Sequence, residues 1–231
     1  MKRFAISMPK EIDIKDKLIS LVWGIIFGIV IAILYFDISR EIFVKLTKDY
    51  PYLMGIIKIG LLGTMGELFG AKIGTGKWRL GGIRLWQRVI VWAFLGVVFT
   101  AVFPLFSFGV DGLLEAKLLP GKSITFLEAF WKSFFMNIIF AFPMMVFHRF
   151  TDTLIEKGKL FTVWPVTETF ISIDWKNMFR IVGFACIWFW IPAHTITFLL
   201  PAEFRVMSAA LLAIALGFIL GLAKRLSIKK K

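Results

Sequence analysis

Apolar residues in this chain come in long runs broken by short charged stretches. Six runs stand out, at 18–36, 53–71, 89–110, 133–147, 181–202 and 206–223. At a rise of 1.5 Å per residue, about 20 helical residues cover a hydrocarbon core ~30 Å thick. The pattern predicts an all-α polytopic membrane protein with about six transmembrane helices. Between the first two runs, 37–52 alternates polar and apolar positions at helical spacing. It predicts a short amphipathic helix at the outer interface, with Ile38, Ile42, Phe43 and Leu46 toward lipid. Pro51 ends that helix and turns the chain back into the membrane.

Several runs carry breaks in the pattern. The stretch 181–205 stays uncharged from Arg180 to Glu203, yet contains Pro192 and Pro201. A proline donates no backbone hydrogen bond, so Pro192 frees the carbonyl of Trp188, and Pro201 that of Thr197. In lipid such carbonyls need partners from other helices, hydroxyls or water, so this span belongs inside a bundle. His194, Thr195 and Thr197 lie in the same region. The fourth run is interrupted by Asn137 and Pro143. Pro143, Pro192 and Pro201 are therefore candidate kinks or hinges.

Small residues repeat along three runs. Gly24, Gly28 and Ala32 mark the first. Gly66, Gly70 and Gly74 mark the second, and Ala209, Ala213, Gly217 and Gly221 the sixth. Such seams let helices approach closely, within one chain or between copies, so a second copy of this chain is a candidate partner.

Composition agrees with the runs. The chain has 231 residues, 58% of them hydrophobic, and a mean hydropathy of +0.80. A soluble domain of this length has too little interior to hide that surface. The single cysteine, Cys186, can form no disulfide within the chain.

The formal charge of +13 changes meaning once its distribution is counted. Loops on one side of a six-span topology hold twenty Lys and Arg residues against seven on the other, with Lys58 left inside the second run. Acidic residues divide evenly. Positive loops stay cytoplasmic, so both termini are expected inside, with anionic lipid headgroups as the partner of that face. Nucleic acid is not expected. The chain divides into a cytoplasmic segment 1–17, one bundle 18–223 and a basic cytoplasmic tail 224–231. The charged start lacks an apolar leader core, so the first span is expected to be an uncleaved anchor. A multi-pass protein of the cell membrane is expected, or of an organelle if the source is eukaryotic.

Candidate chemistry is sparse. Glu67 is an acid inside a span, which costs ~2.5–3.5 kcal/mol at the helix centre if it faces lipid. Lys58, nine positions earlier, lies on the other side of that helix and can snorkel outward. Glu67 therefore needs Arg84, Arg88, Lys72 or a pore water. The glycine-rich loop 72–88 fails as a phosphate loop, because Ala71 and Trp78 stand where Gly and Ser or Thr are required. His148 and Asp152 are four apart, a spacing that can orient a catalytic histidine but also describes a charged helix end. The two histidines are expected at different depths, which argues against a shared metal. No catalytic residue, metal or cofactor is expected.

Three places resemble the family of small organellar membrane proteins named for Mpv-seventeen and the peroxisomal membrane protein of about twenty-two kilodaltons. Pro51 through Gly66-Glu67 is similar to its first helix, which ends in Gly-Asp. Asn137 and Pro143 resemble its central Asp-Gln followed by Pro, and Pro201 to Arg205 its late Val-Pro-x-x-x-Arg. The likeness covers about 50–223. The family's Gln after Gly-Asp falls at Ala71, and its His and Trp-Tyr have no counterpart here. The resemblance implies a non-enzymatic membrane protein, with at least one channel-forming relative, and marks Glu67, Asn137, Pro201 and Arg205. The expected function is a channel or transporter-like pore for ions or small solutes. Its polar path would run through Glu67, Asn137, His194 and Arg205. An intramembrane or lipid-modifying enzyme and a structural assembly protein are the alternatives.

Overall fold

A computed structural model describes residues 14–229. The basic segment before Ile14 and the last two lysines of the tail, parts of the two expected cytoplasmic segments, lie outside the described residues. The described residues form helices and connecting turns, with no strand among them. Six helical stretches are long and apolar enough to cross a membrane, so this is an all-α polytopic membrane protein. The chain divides into two compact units, 1–41 and 42–231.

The first unit holds α1 (Ile14–Tyr35) and the start of α2 (Asp37–Asp49). A helix ends with carbonyls that have no partner within it. Here Ser39 Oγ donates to Ile33 O and Phe36 O, each at 3.0 Å, and Arg40 Nη1 donates to Tyr35 O at 3.1 Å. Arg40 also pairs with Asp37. Among the described residues, no atom beyond the helix's own neighbouring backbone lies within 4 Å of where a Cβ on Gly24 or Gly28 would stand.

In the second unit, α3 (Pro51–Thr75) is the central helix, with half of its apolar window buried. One side meets α4 (Leu85–Glu115), where a Cβ on Gly55 would stand 2.6 Å from Gly96 O. The other side meets α10 (Ala202–Lys229). There a Cβ on Gly66 would stand 3.0 Å from Ala213 O, and one on Gly70 only 2.8 Å from Gly217 O. A Cβ on Gly221 would in turn stand 2.5 Å from Gly70 O, and one on Gly74 3.5 Å from Gly221 O. The seams of the second and sixth runs therefore pack against each other within one chain. Gly76 closes α3 in the left-handed region, with φ at 80° and its N–H on Lys72 O.

The fourth span is longer than its uncharged run. It consists of α5 (Thr125–Phe135), a π-helical segment Met136–Ala141 and α6 (Phe142–Glu156). The fifth repeats this order, with α8 (Trp175–Ala185), a π-helical segment Cys186–Trp190 and α9 (Ile191–Leu199). Each π segment is followed, one residue later, by a proline, Pro143 or Pro192. A proline ring inside a helix removes a donor and crowds the preceding turn. The looser winding makes room: Ile191 N–H donates to Cys186 O, five residues back. The two π segments touch, and α5 lies along α9. The short helix α7 (Val166–Ile171) links the fourth and fifth spans, with Trp164 and Trp175 at its flanks. Arg84 donates to Ile155 O at 2.7 Å and Glu156 O at 3.2 Å, satisfying the end of α6 with a cation.

Three expectations change. Phe43 does not face lipid. It is 4% exposed, against Phe204, and Lys58 Nζ stands 4.4 Å from its ring centre. Lys58 does not reach open water either; it is 3% exposed and donates to Thr47 Oγ1 at 2.8 Å. Amphipathic spacing shows that α2 has an apolar face but not whether lipid or protein covers it. Pro201 is not a kink within a span. Leu200 is extended, Leu200 N–H donates to Thr197 O at 3.1 Å, and Pro201 sits in the turn between α9 and α10.

Candidate functional site

A cavity of about 260 Å³ lies within the second unit. Its lining comes from α3, α4, α6, α8, α9, α10 and both π segments. Most of the wall is apolar, as in pockets that enclose a small molecule and orient it by a few polar groups. The polar groups are Glu67 and His148 in one region, and Asn137 and His194 in another. Asn137 and His148 are eleven residues apart on one span, so these regions stand about 15 Å apart along its axis.

Glu67 extends from the glycine-rich face of α3 toward α4. Its Oε1 accepts from Arg88 Nη1, and its Oε2 from Trp92 Nε1 at 3.0 Å. Arg88 and Trp92 are four apart, on one face of α4. The same Arg88 Nη1 donates to Asp152 Oδ1 at 3.2 Å. Asp152 Oδ2 lies 3.7 Å from His148 Nε2, and the His148 ring packs on Trp92 with centres 4.5 Å apart. Arg88 is 11% exposed and Glu67 27%, so water screens this group only in part. Two carboxylates face one guanidinium, with the His148 imidazole beside Asp152. Donor atoms of Glu67, His148 and Asp152 lie within 4.8 Å of one another, a spacing that suits metal ligands. Arg88 already bridges the two carboxylates and supplies a cation there.

At the other end the residues are fully buried. Asn137 Nδ2 donates to Ser133 O at 2.8 Å and lies 3.3 Å from His194 Nδ1. Ser133 Oγ and Thr195 Oγ1 both donate to Ile191 O at 2.7 Å. Thr197 Oγ1 donates back to Ala193 O and bonds Ser208 Oγ at 2.9 Å. Hydroxyls thus supply partners around the broken helix. Trp190 and Phe103 pack on the His194 ring.

The structure brings Glu67, Asn137 and His194 to one cavity. It does not bring Arg205 there. Arg205 donates to Leu200 O, Phe198 O and Ser107 Oγ, and so holds the end of α9. Pro143, Pro192 and Pro201 all lie outside the lining. Arg88, one of four partners weighed for Glu67, is the one that binds it. The spacing of His148 and Asp152 reads more readily as a charged helix end, and Trp92 carries no signal of its own. Two i, i+4 pairs, Arg88 with Trp92 and His148 with Asp152, are the pattern that points to a shared acid.

Comparison of the chain with known protein families, with characterised proteins and with solved structures finds no match.

Proposed function

We propose that this protein is a transporter-like membrane protein that takes a small solute into the cavity among its last five spans. The cavity itself carries the reading: a partly open apolar pocket among the helices, with a partly screened charge cluster at one end. Apolar walls suit a solute with an apolar body better than a hydrated ion, so a carrier is favoured over an open ion pore. Glu67, the carboxylate on the cavity lining, favours a cationic head. A cavity of 150 Å³ holds a benzene, so about 260 Å³ has room for a ring with a short substituent. The family that the chain resembles has a channel-forming member, and two marked positions, Glu67 and Asn137, line this cavity. The basic loops face the cytoplasm and its anionic headgroups in this reading, in the cell membrane.

Uptake of benzyltrimethylammonium into proteoliposomes tests the proposal, with benzenesulfonate as the anionic control. The cation should enter faster than into protein-free vesicles, and Glu67→Gln should slow it several-fold. No uptake above background, by a protein that stays folded, would sink the carrier. Discrete conductance steps in a planar bilayer, altered in Glu67→Gln, would point to a pore instead.

One observation favours a second reading. Glu67, His148 and Asp152 have the spacing of a metal site, which suits an intramembrane enzyme. Zinc bound by Arg88→Ala and lost in Arg88→Ala/His148→Ala would support it; a protein that binds none would not. The seams of α3 and α10 are taken up by each other, so an assembly reading would rest on the small residues of α1.

A further inference from the structure

The His194 end of the cavity has a directional polar group that the carrier reading leaves unused. Asn137 fixes its direction. Ser133 O can only accept, so the Asn137 atom 2.8 Å from it is the amide nitrogen. That nitrogen also lies 3.3 Å from both Ser133 Oγ and His194 Nδ1; it can only donate, so its bond to the ring makes Nδ1 the acceptor. Ser133 Oγ gives its own hydrogen to Ile191 O, so it cannot reverse the arrangement. With Nδ1 accepting, the proton of the neutral ring sits on Nε2. His194 is 5% exposed, lines the cavity, and its Nε2 has no hydrogen-bond partner. A buried donor left unsatisfied is costly, and a bound molecule that supplies an acceptor removes that cost.

We infer that His194 Nε2–H reads a hydrogen-bond acceptor, a carbonyl or ether oxygen, on the mainly apolar molecule that the cavity binds. His194 is a specificity residue in this scheme, and Asn137 positions it by holding the tautomer. The inference rests on the cavity being the solute site. It adds that the solute carries an oxygen at the end away from its cationic head. Phe103 and Trp190, on either side of the ring, supply the apolar surround.

Two uncharged probes separate this claim from the one about Glu67. They are 4-phenylbutan-2-one and isopentylbenzene, which places a methyl group where the ketone has its oxygen. Binding is measured to the full-length protein in phosphatidylcholine nanodiscs, after subtracting partition into empty nanodiscs. The ketone should bind about tenfold more tightly than the hydrocarbon, the scale of one buried hydrogen bond. His194→Leu should abolish that preference and leave hydrocarbon binding in place. Because this variant could fold poorly, the wild-type protein labelled with ¹⁵N-histidine gives a second reading. The ketone should shift one Nε2–H resonance, and the hydrocarbon should not. Equal binding of both probes, with no shift, overturns the inference and leaves the cavity as a solute site. Binding of neither probe overturns it as well; benzyltrimethylammonium uptake then decides separately whether the carrier reading stands.

Discussion

Arg88 donates one nitrogen to two carboxylates, which makes Glu67, Arg88 and Asp152 a single unit. Removing the cation leaves two acids facing each other in a partly dry site. Arg88→Met keeps much of the stem and removes the charge. It should lower stability by about 2–4 kcal/mol, at or below the range for a fully buried pair because Glu67 keeps some exposure. Thermal unfolding in detergent measures this. In the double variant Arg88→Met/Glu67→Gln one carboxylate charge is gone too, so its loss should be smaller than the sum of the singles. An Arg88→Met protein as stable as wild type would refute the shared-cation account. From the chain alone, Glu67 was recognisable as an acid needing a partner, and Arg88 as one of four candidates. Choosing among them needed the approach of α4 to α3. Asp152 was not legible as part of the group, because its four-residue spacing from His148 reads more readily as a charged helix end.

Helices α3 and α10 meet backbone to backbone, and their glycines are the reason. A side chain at Gly70 would strike Gly217 O, so Gly70→Val should force the helices apart and cost about 1–3 kcal/mol. Gly24→Val, placed where a Cβ meets open space, should fall within about 0.5 kcal/mol of wild type. Melting temperatures of the two variants, compared in one detergent, check the pair. If they fell equally, the seam would not be the cause. All three repeats of small residues were visible in the sequence, but a repeat shows only that close approach is permitted. The second and sixth find each other, which no repeat by itself announces. The π segments were foreshadowed only by Pro143 and Pro192, since hydropathy carries no signal for a turn wound one residue looser.

Across the molecule, the basic loops predict which side of the membrane each end occupies. Leu80 lies in a loop with five basic residues and no acid. In a Leu80→Cys variant, an impermeant maleimide added to intact cells should leave position 80 unlabelled and label it after permeabilisation. Cys186 is buried and should stay silent. Labelling of intact cells would reverse the topology. The helical class and the number of spans follow from the chain without help. A run of about 20 apolar residues has few stable forms besides a membrane helix, since every backbone group must be satisfied within it. Which faces meet is another matter. Surfaces that touch lipid and surfaces that touch protein are both apolar, so hydropathy cannot separate them. That is why Phe43 and Lys58 turned inward, why Arg205 went to a helix end, and why Glu67, Asn137 and His194 came to one cavity only in the packed bundle.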